Sequence, residues 1–451
     1  MKNPTIHDKM RFGEKVSYGL VIFGNIPLMT LISTFLLIFY TNVVKLDPGK
    51  VGTLFLIARI CDGISDPLMG ILIDRMPKTK MGRIRPILIF GTIICAANYF
   101  LLWFGPTWTQ VGKMAVVYVT YLLLGFTFDI MDIAANSLLP VMTADTKERT
   151  TLSTIAGAVQ MIGALGLSIA APIILGDTSR IEGYYTLIMI ALVIVVVGSI
   201  GGAFGVRERV QPEGDKKYSL KQLFAILLEQ PVWALFLFNL LYNIGSTLVS
   251  TSNAFFFTYV VDDLSAMATL SGMSMLGVIP GIFISGVLAN KLGRKNLALT
   301  GLAIAAIAPT LRYLDITNVT YMMVSSVVGG IGIGFIMPVR LGIAADNTDY
   351  VEYRTGQRAE GAISSLSSFA VKCASGIGGA LPGYILAWSG FSSELAVQSA
   401  SANNAIVFTN ILLPVIFYVV AFVMFMFFYP ITKKKMTEIT QVLKDRRAQE
   451  Q

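Results

Sequence analysis

The sequence predicts an all-α membrane protein with twelve transmembrane helices arranged as two six-helix, pseudo-symmetric bundles. Three observations predict it. Of 451 residues, 54% are hydrophobic and only 14% charged, with a mean hydropathy of +0.68; a soluble domain is about a quarter charged. Apolar runs of the length that crosses a bilayer, about 20 residues, alternate with short charged or Gly/Pro-bearing connections and number about twelve. Finally, Gly70-Ile-Leu72-Ile-Asp74-Arg75 recurs in the second half of the chain as Gly286-Val-Leu288-Ala-Asn290-Lys291. Glycine lets neighbouring helices approach closely, and the acid or amide and the basic residues that follow suit contacts between helices.

In chain order, helices are predicted at 18–42, 50–74, 86–105, 113–140, 151–175 and 184–206, then at 231–260, 265–290, 296–314, 319–345, 358–388 and 405–429. The first seventeen residues are polar. The apolar run after them is too long for a signal-peptide core and lacks a small-residue cleavage pattern, so an uncleaved first helix is expected. The bundles are 1–206 and 231–429. Between them, residues 207–230 contain RERVQPEGDKKYSLKQ, with Pro212 and Gly214, and read as a polar linker. The tail, 430–451, carries Lys433, Lys434 and Lys435 and reads as a solvated end.

The net charge of +8 does not form one patch, which argues against a nucleic-acid partner. With a cytoplasmic N-terminus, 27 of the 35 Lys and Arg fall in the tails and even-numbered connections, five in odd-numbered ones, and Arg59, Arg340 and Lys372 inside helices. By the positive-inside rule both termini are cytoplasmic, and a plasma (inner) membrane is expected. Cys61, Cys95 and Cys373 have no metal or redox spacing and read as apolar filler. The single histidine, His7, lies in the polar tail, so any proton relay must use carboxylates. No nucleophile–base pair or metal-ligand motif appears, so neither an enzyme nor a cofactor is expected.

Val51 to Pro67, VGTLFLIARICDGISDP, carries the central polar feature. Spacings of three and four residues put Arg59, Asp62, Ser65 and Asp66 along one side of an otherwise apolar helix. A carboxylate at the bilayer centre costs about 2.5–3.5 kcal/mol on insertion scales, so this side must face protein partners or water. The shift that superposes the two repeat copies carries Asp62 and Asp66 onto Val278 and Ile282: the scaffold is duplicated and the acids are not. Helix 4 adds Asp129 and Asp132 with Asn136 one turn on, helix 11 adds Lys372, and helix 7 adds Asn239 and Asn243. A shared cavity or a bound cation would let these charges compensate one another; a structural ion pair with Arg59 or Lys372 is the alternative. Arg340, near the predicted end of helix 10, reads as a gate, a snorkelling side chain or a substrate contact. The stretch DNTDYVEYRTGQRAEG reads as a cytoplasmic loop whose Asp346, Asp349, Glu352, Arg354, Arg358 and Glu360 form a salt-bridge network able to gate transport, or a plain solvated loop.

That stretch, ARICDGISDP and GRIRP (Gly82 to Pro86) together resemble the glycoside–pentoside–hexuronide:cation symporter family of the major facilitator superfamily, from Ser17 through the AVKCASG segment. The resemblance implies uptake of a sugar or glycoside coupled to Na⁺, Li⁺ or H⁺. It places the coupling cation at Asp62 and Asp66, with Na⁺ possible there and Ser65 and Asp129 as neighbours. Ser65 falls where the family's best-known member has asparagine and Asp129 where it has threonine, which leaves the ion open. Lys372 matches a coupling lysine, and Asp132 matches a sugar-contacting aspartate. Other sugar contacts differ: the helix-1 aspartate falls at Ile26 beside Asn25, the helix-5 arginine at Gly157, the helix-4 tryptophan at Asn136 and the helix-10 tryptophan near Met337. The substrate set expected here is Asp132, Asn25, Asn136, Arg340 and Asn243. Partners are then a small sugar, a monovalent cation and the lipid bilayer, with a monomer expected. A lysolipid or other amphiphile carrier on a related fold, and a non-transporting sugar sensor, are the competing readings; neither tail has room for a signalling domain.

Overall fold

A computed structural model describes residues 10–76, 79–210, 220–316, 318–395 and 397–450; at 63–64, 66–68, 70–75, 220–221 and 447–450 it describes the backbone only. Twelve long helices are present among the described residues: α1 Phe12–Asn42, α2 Pro48–Arg75, α3 Ile84–Trp108, α4 Lys113–Met142, α5 Thr146–Leu175, α6 Ile181–Gly205, α7 Gln230–Tyr259, α8 Leu264–Leu292, α9 Arg294–Leu314, α10 Val319–Thr355, α11 Glu360–Trp388 and α12 Ala400–Phe428. Eleven are long and apolar enough to cross a membrane. The twelfth, α2, differs because every 18-residue stretch of it holds at least three of Lys50, Arg59, Asp62, Asp66, Asp74 and Arg75. Helices suit this setting because each satisfies its own backbone hydrogen bonds where no water is available.

The chain divides into two compact units, Met1–Gly214 with Ser392–Ala396, and Asp215–Phe391 with Val397–Gln451. In the first, α1 packs on α5 and α6, α3 on α4, and α2 on α4. A π-helical stretch, Ile32–Leu36, interrupts α1. Such a bulge rotates the face that follows, and from Phe35 to Asn42 every residue is buried. There the Phe39 ring meets Trp103 at 5.0 Å and Tyr184 at 4.7 Å, tying α1 to α3 and α6. In the second unit α10 packs on α8 and α9, and α7 on α11 and α12. At Gly277 and Gly330 an added Cβ would collide with the backbone carbonyls of Val327 and Ser274, so glycine is what lets α8 and α10 touch backbone to backbone.

Three stretches differ from the expectations above. α10 continues to Thr355, so Asp346, Asp349, Glu352 and Arg354 are helical and not in a loop. Asn347, Tyr350 and Val351 are buried on one face of that extension, and it ends at Gly356, whose φ of 71° suits a helix C-terminus. The tail is not simply solvated. It forms the helix Lys433–Glu450, whose Ile439 and Leu443 join the core of the second unit. Part of the linker stretch is also helical, at Leu220–Leu227; residues 211–219, with Pro212 and Gly214, lie outside the described residues.

Candidate functional site

Two polar clusters lie on α4 in the first unit. On one side, Arg59 of α2 donates from Nη1 to Asp62 Oδ2 at 2.8 Å, and the rings of Phe55 on α2 and Tyr121 on α4 meet at 5.1 Å. Ser65 Oγ donates to Asp129 Oδ2 at 3.0 Å. Asp62, Ser65 and Asp129 are 9%, 2% and 8% exposed. Burial this deep sets two carboxylates, one guanidinium and a hydroxyl close together, where each must be compensated by a partner. The helices can come this close because residue 125 is glycine: a Cβ there would collide with the Asp62 carboxylate. The Asp66 side chain, expected in this group, lies outside the described residues.

The second cluster is centred on Asp132. Asn25 of α1 donates from Nδ2 to Asp132 Oδ1 at 2.6 Å, and Asn136 donates from Nδ2 to Asp132 Oδ2 at 3.0 Å. Asn25 Oδ1 is buried with no donor, whereas Asn136 is exposed. Asp129 and Asp132, three residues apart, are offset by about 60° around a helix of 3.6 residues per turn. The offset suffices to send Asp129 to α2 and Asp132 to α1.

The remaining candidates belong to the second unit. Arg340 lies several turns before Thr355, the last residue of α10. Its guanidinium sits over the Tyr242 ring at 5.8 Å. Tyr242 is in the middle of the 30-residue α7, so the Arg340 guanidinium meets α7 at mid-helix. Asn243 Nδ2 is committed to the carbonyl of Asn239 at 2.6 Å, one turn earlier in its own helix. Asn239 Oδ1 is buried without a donor. Lys372 is half-buried in α11.

Toward the Thr355 end of α10, Asp346 is buried and ion-paired with Arg294, the first residue of α9. Arg358 sits among Asp349 at 3.7 Å, Glu352 at 3.2 Å and Glu360 at 3.4 Å, and Arg354 pairs with Glu229 at 3.1 Å. The sequence reading did not single out Tyr121, Gly125 or Glu208. Tyr121, Gly125 and Asp129 recur every four residues, a one-face spacing that could have exposed the first two. Glu208 follows α6 and accepts the backbone N–H groups of Arg83 at 2.8 Å, Ile84 at 2.8 Å and Arg85 at 2.9 Å, capping the start of α3.

The family model for MFS/sugar transport proteins matches residues 17–433. The isoprimeverose transporter of Lactiplantibacillus pentosus is 32% identical over 424 residues, covering 91% of this chain and 87% of that protein. The glucuronide carrier protein homolog of Escherichia coli (strain K12) is 27% identical over 449 residues, covering 97% of this chain and 96% of that one. Among solved structures, the nucleoside transporter NupG superposes with a TM-score of 0.65 at 14% identity, over 93% of this chain and 100% of its own. A bacterial homolog of the human lysosomal transporter Spinster does so with a TM-score of 0.66 at 13% identity, over 92% and 95%. At such identities these two structures speak to fold alone.

Proposed function

The chain belongs to the MFS/sugar transport family, as one of its glycoside–pentoside–hexuronide:cation symporters, and is a secondary active sugar transporter; from that premise we propose how its residues divide the work. One observation carries the reading: α4 holds two carboxylates one turn apart, one tied to the Arg59–Asp62–Ser65 group and the other to Asn25 and Asn136. The coupling cation, Na⁺, Li⁺ or H⁺, binds at Asp62, Asp66 and Asp129 with Ser65, and Arg59 trims the negative charge of the empty site. The sugar binds at Asp132, Asn25 and Asn136 of the first unit; in the second unit the residues proposed for substrate are Arg340 and Asn243. Lys372 has the coupling role. A shift of the shared α4 turn on cation binding reaches Asp132, so each ligand favours the state that the other favours.

The ion pairs of Asp346, Asp349, Glu352, Arg358 and Glu360 open and close during alternating access. The protein works as a monomer in the plasma (inner) membrane with both termini in the cytoplasm. It uses no cofactor, binds no nucleic acid and performs no covalent chemistry. The test is uptake of a panel of radiolabelled glycosides into vesicles under separately imposed Na⁺, Li⁺ and proton gradients. At least one glycoside should accumulate under one gradient; accumulation of none under any gradient sinks the proposal.

A further inference from the structure

We propose that a cavity at one end of the first unit holds the headgroup of an aminophospholipid, its phosphate against Lys113 and Arg180 and its ammonium against Glu182, a reading that rests on the membrane setting of these helices and not on which sugar is carried. The cavity, about 390 Å³, lies where α3 ends and α4 and α6 begin. Cavities of about 300–1,000 Å³ hold small ligands. Lys113 is the first residue of α4 and Arg180 the N-cap of α6, and both line it. A helix N-terminus carries partial positive charge, so each basic side chain stands at the helix end that disfavours it. Two side chains and two helix ends of one sign thus meet at one cavity, and an anion relieves all four. The protein supplies only part of that relief. Arg180 Nε meets Asp177 Oδ2 at 3.3 Å in an exposed pair, and Lys113 Nζ donates to the Val44 carbonyl at 3.2 Å. A lysine has three donors and an arginine five, which leaves most of both for a phosphate.

Aromatic residues place the cavity at the depth of lipid headgroups. Trp108, the last residue of α3, and Tyr185, early in α6, are 63% and 52% exposed. Their rings lie against Phe100 at 5.8 Å and Phe104 at 5.2 Å. An apolar body with a wet polar edge suits the membrane–water boundary, where Trp and Tyr concentrate. Glu182 also lines the cavity, is exposed and joins no ion pair among the described residues. A phosphate alone would meet its repulsion, whereas a headgroup with an ammonium beside its phosphate satisfies both signs. The second unit supplies the contrast. Where its third helix, α9, ends and its sixth, α12, begins there is again a cavity, about 750 Å³, with Asp315 and Asn404 in its lining and no Lys or Arg among the described lining residues. The hollow recurs with the repeated scaffold; the basic residues do not.

The experiment measures lipid binding to the full-length protein, stripped of lipid in detergent, by native mass spectrometry. Dioleoyl phosphatidylethanolamine is titrated against dioleoyl phosphatidylglycerol, which keeps the phosphate and lacks the ammonium. The tightest phosphatidylethanolamine should bind more strongly than the tightest phosphatidylglycerol. Arg180→Gln and Lys113→Gln should each weaken it about fivefold, the scale of one basic residue near a lipid surface. Glu182→Gln should bring the two lipids level, and Asp315→Asn, in the other cavity, should leave the preference intact. Equal binding of the two lipids to the unmodified protein overturns the proposal, and that comparison needs no variant to fold. A preference that survives Glu182→Gln, or that Asp315→Asn abolishes, also overturns it. Glycerophosphoethanolamine, the same headgroup without chains, should compete only far above the lipid's own concentration; competition at that concentration assigns the cavity to a soluble phosphate ester and overturns the lipid source. The sugar-transport reading stands under every one of these outcomes.

Discussion

Ser65 is where stability and function can be separated at the level of one side chain. Its hydroxyl supplies a hydrogen bond to the buried Asp129 carboxylate, and bonds to charged groups contribute about 1.5–3 kcal/mol. Ser65→Ala should therefore lower the unfolding temperature in detergent and weaken cation binding; unchanged values for both would remove Asp129 from the site. Gly125→Ala should push the Asp62 carboxylate away from α4, raising the cation concentration for half-maximal uptake more than the sugar concentration. A shift in the sugar term alone would show that the close approach of α4 serves the sugar side. Asp62, Asp129 and Asp132 are legible in the sequence because a charge in an apolar helix has few uses. Tyr121 and Gly125 are not, because an aromatic and a glycine are ordinary contents of a membrane helix. The depth of Arg340 escapes the sequence for a different reason: it depends on where α10 ends, which its own neighbours do not reveal.

At the scale of elements, the twelve spans can be read from apolar run length, but the true end of α10 cannot. The mixed-charge stretch from Asp346 to Thr355 looks like a loop by composition. It is helical because Asn347, Tyr350 and Val351 bury one face while Asp349, Glu352 and Arg354 take the other. The capping residues show what holds the element ends. Glu208 takes three backbone N–H groups at the start of α3, while Arg85 Nε donates to the Ala203 carbonyl at 2.7 Å near the end of α6. Glu208→Ala should destabilise the first unit by about 0.5–2 kcal/mol, the range for lost caps, seen as a lower unfolding temperature. An unchanged temperature would mean that water replaces the carboxylate without loss. Asp263 caps α8 through Ser265 and Ala266, and the Ser265 hydroxyl and these backbone N–H groups hold its carboxyl below the usual value. Because its folded value is depressed, the cap's contribution is present above about pH 4 and lost as pH falls through the folded value. Asp263→Asn keeps the cap and should flatten that acid limb of the stability profile; a profile identical to that of the unmodified protein would assign the acid loss to other groups.

For the whole molecule, coupling is a free energy and must be reciprocal. If the cation raises sugar affinity by some factor, the sugar must raise cation affinity by the same factor. Both can be measured by titrating each ligand calorimetrically with and without the other. In Asp62→Asn, which removes one carboxylate from the Arg59–Asp62 pair, the factor should fall toward one in both directions. Sugar binding and sugar exchange should persist, because Asp132, Asn25 and Asn136 are untouched, while uphill accumulation stops. The exposed Arg358 network sets the contrast. Arg358 is half exposed among three carboxylates, and such surface pairs contribute about 0–1 kcal/mol to stability. Arg358→Gln should therefore leave the unfolding temperature and the coupling factor near their original values while changing the uptake rate, since a gate alters the barrier between states and not the ligands' preference among them. A large drop in the coupling factor would place the network in the ligand-binding equilibrium and deny it a gating role.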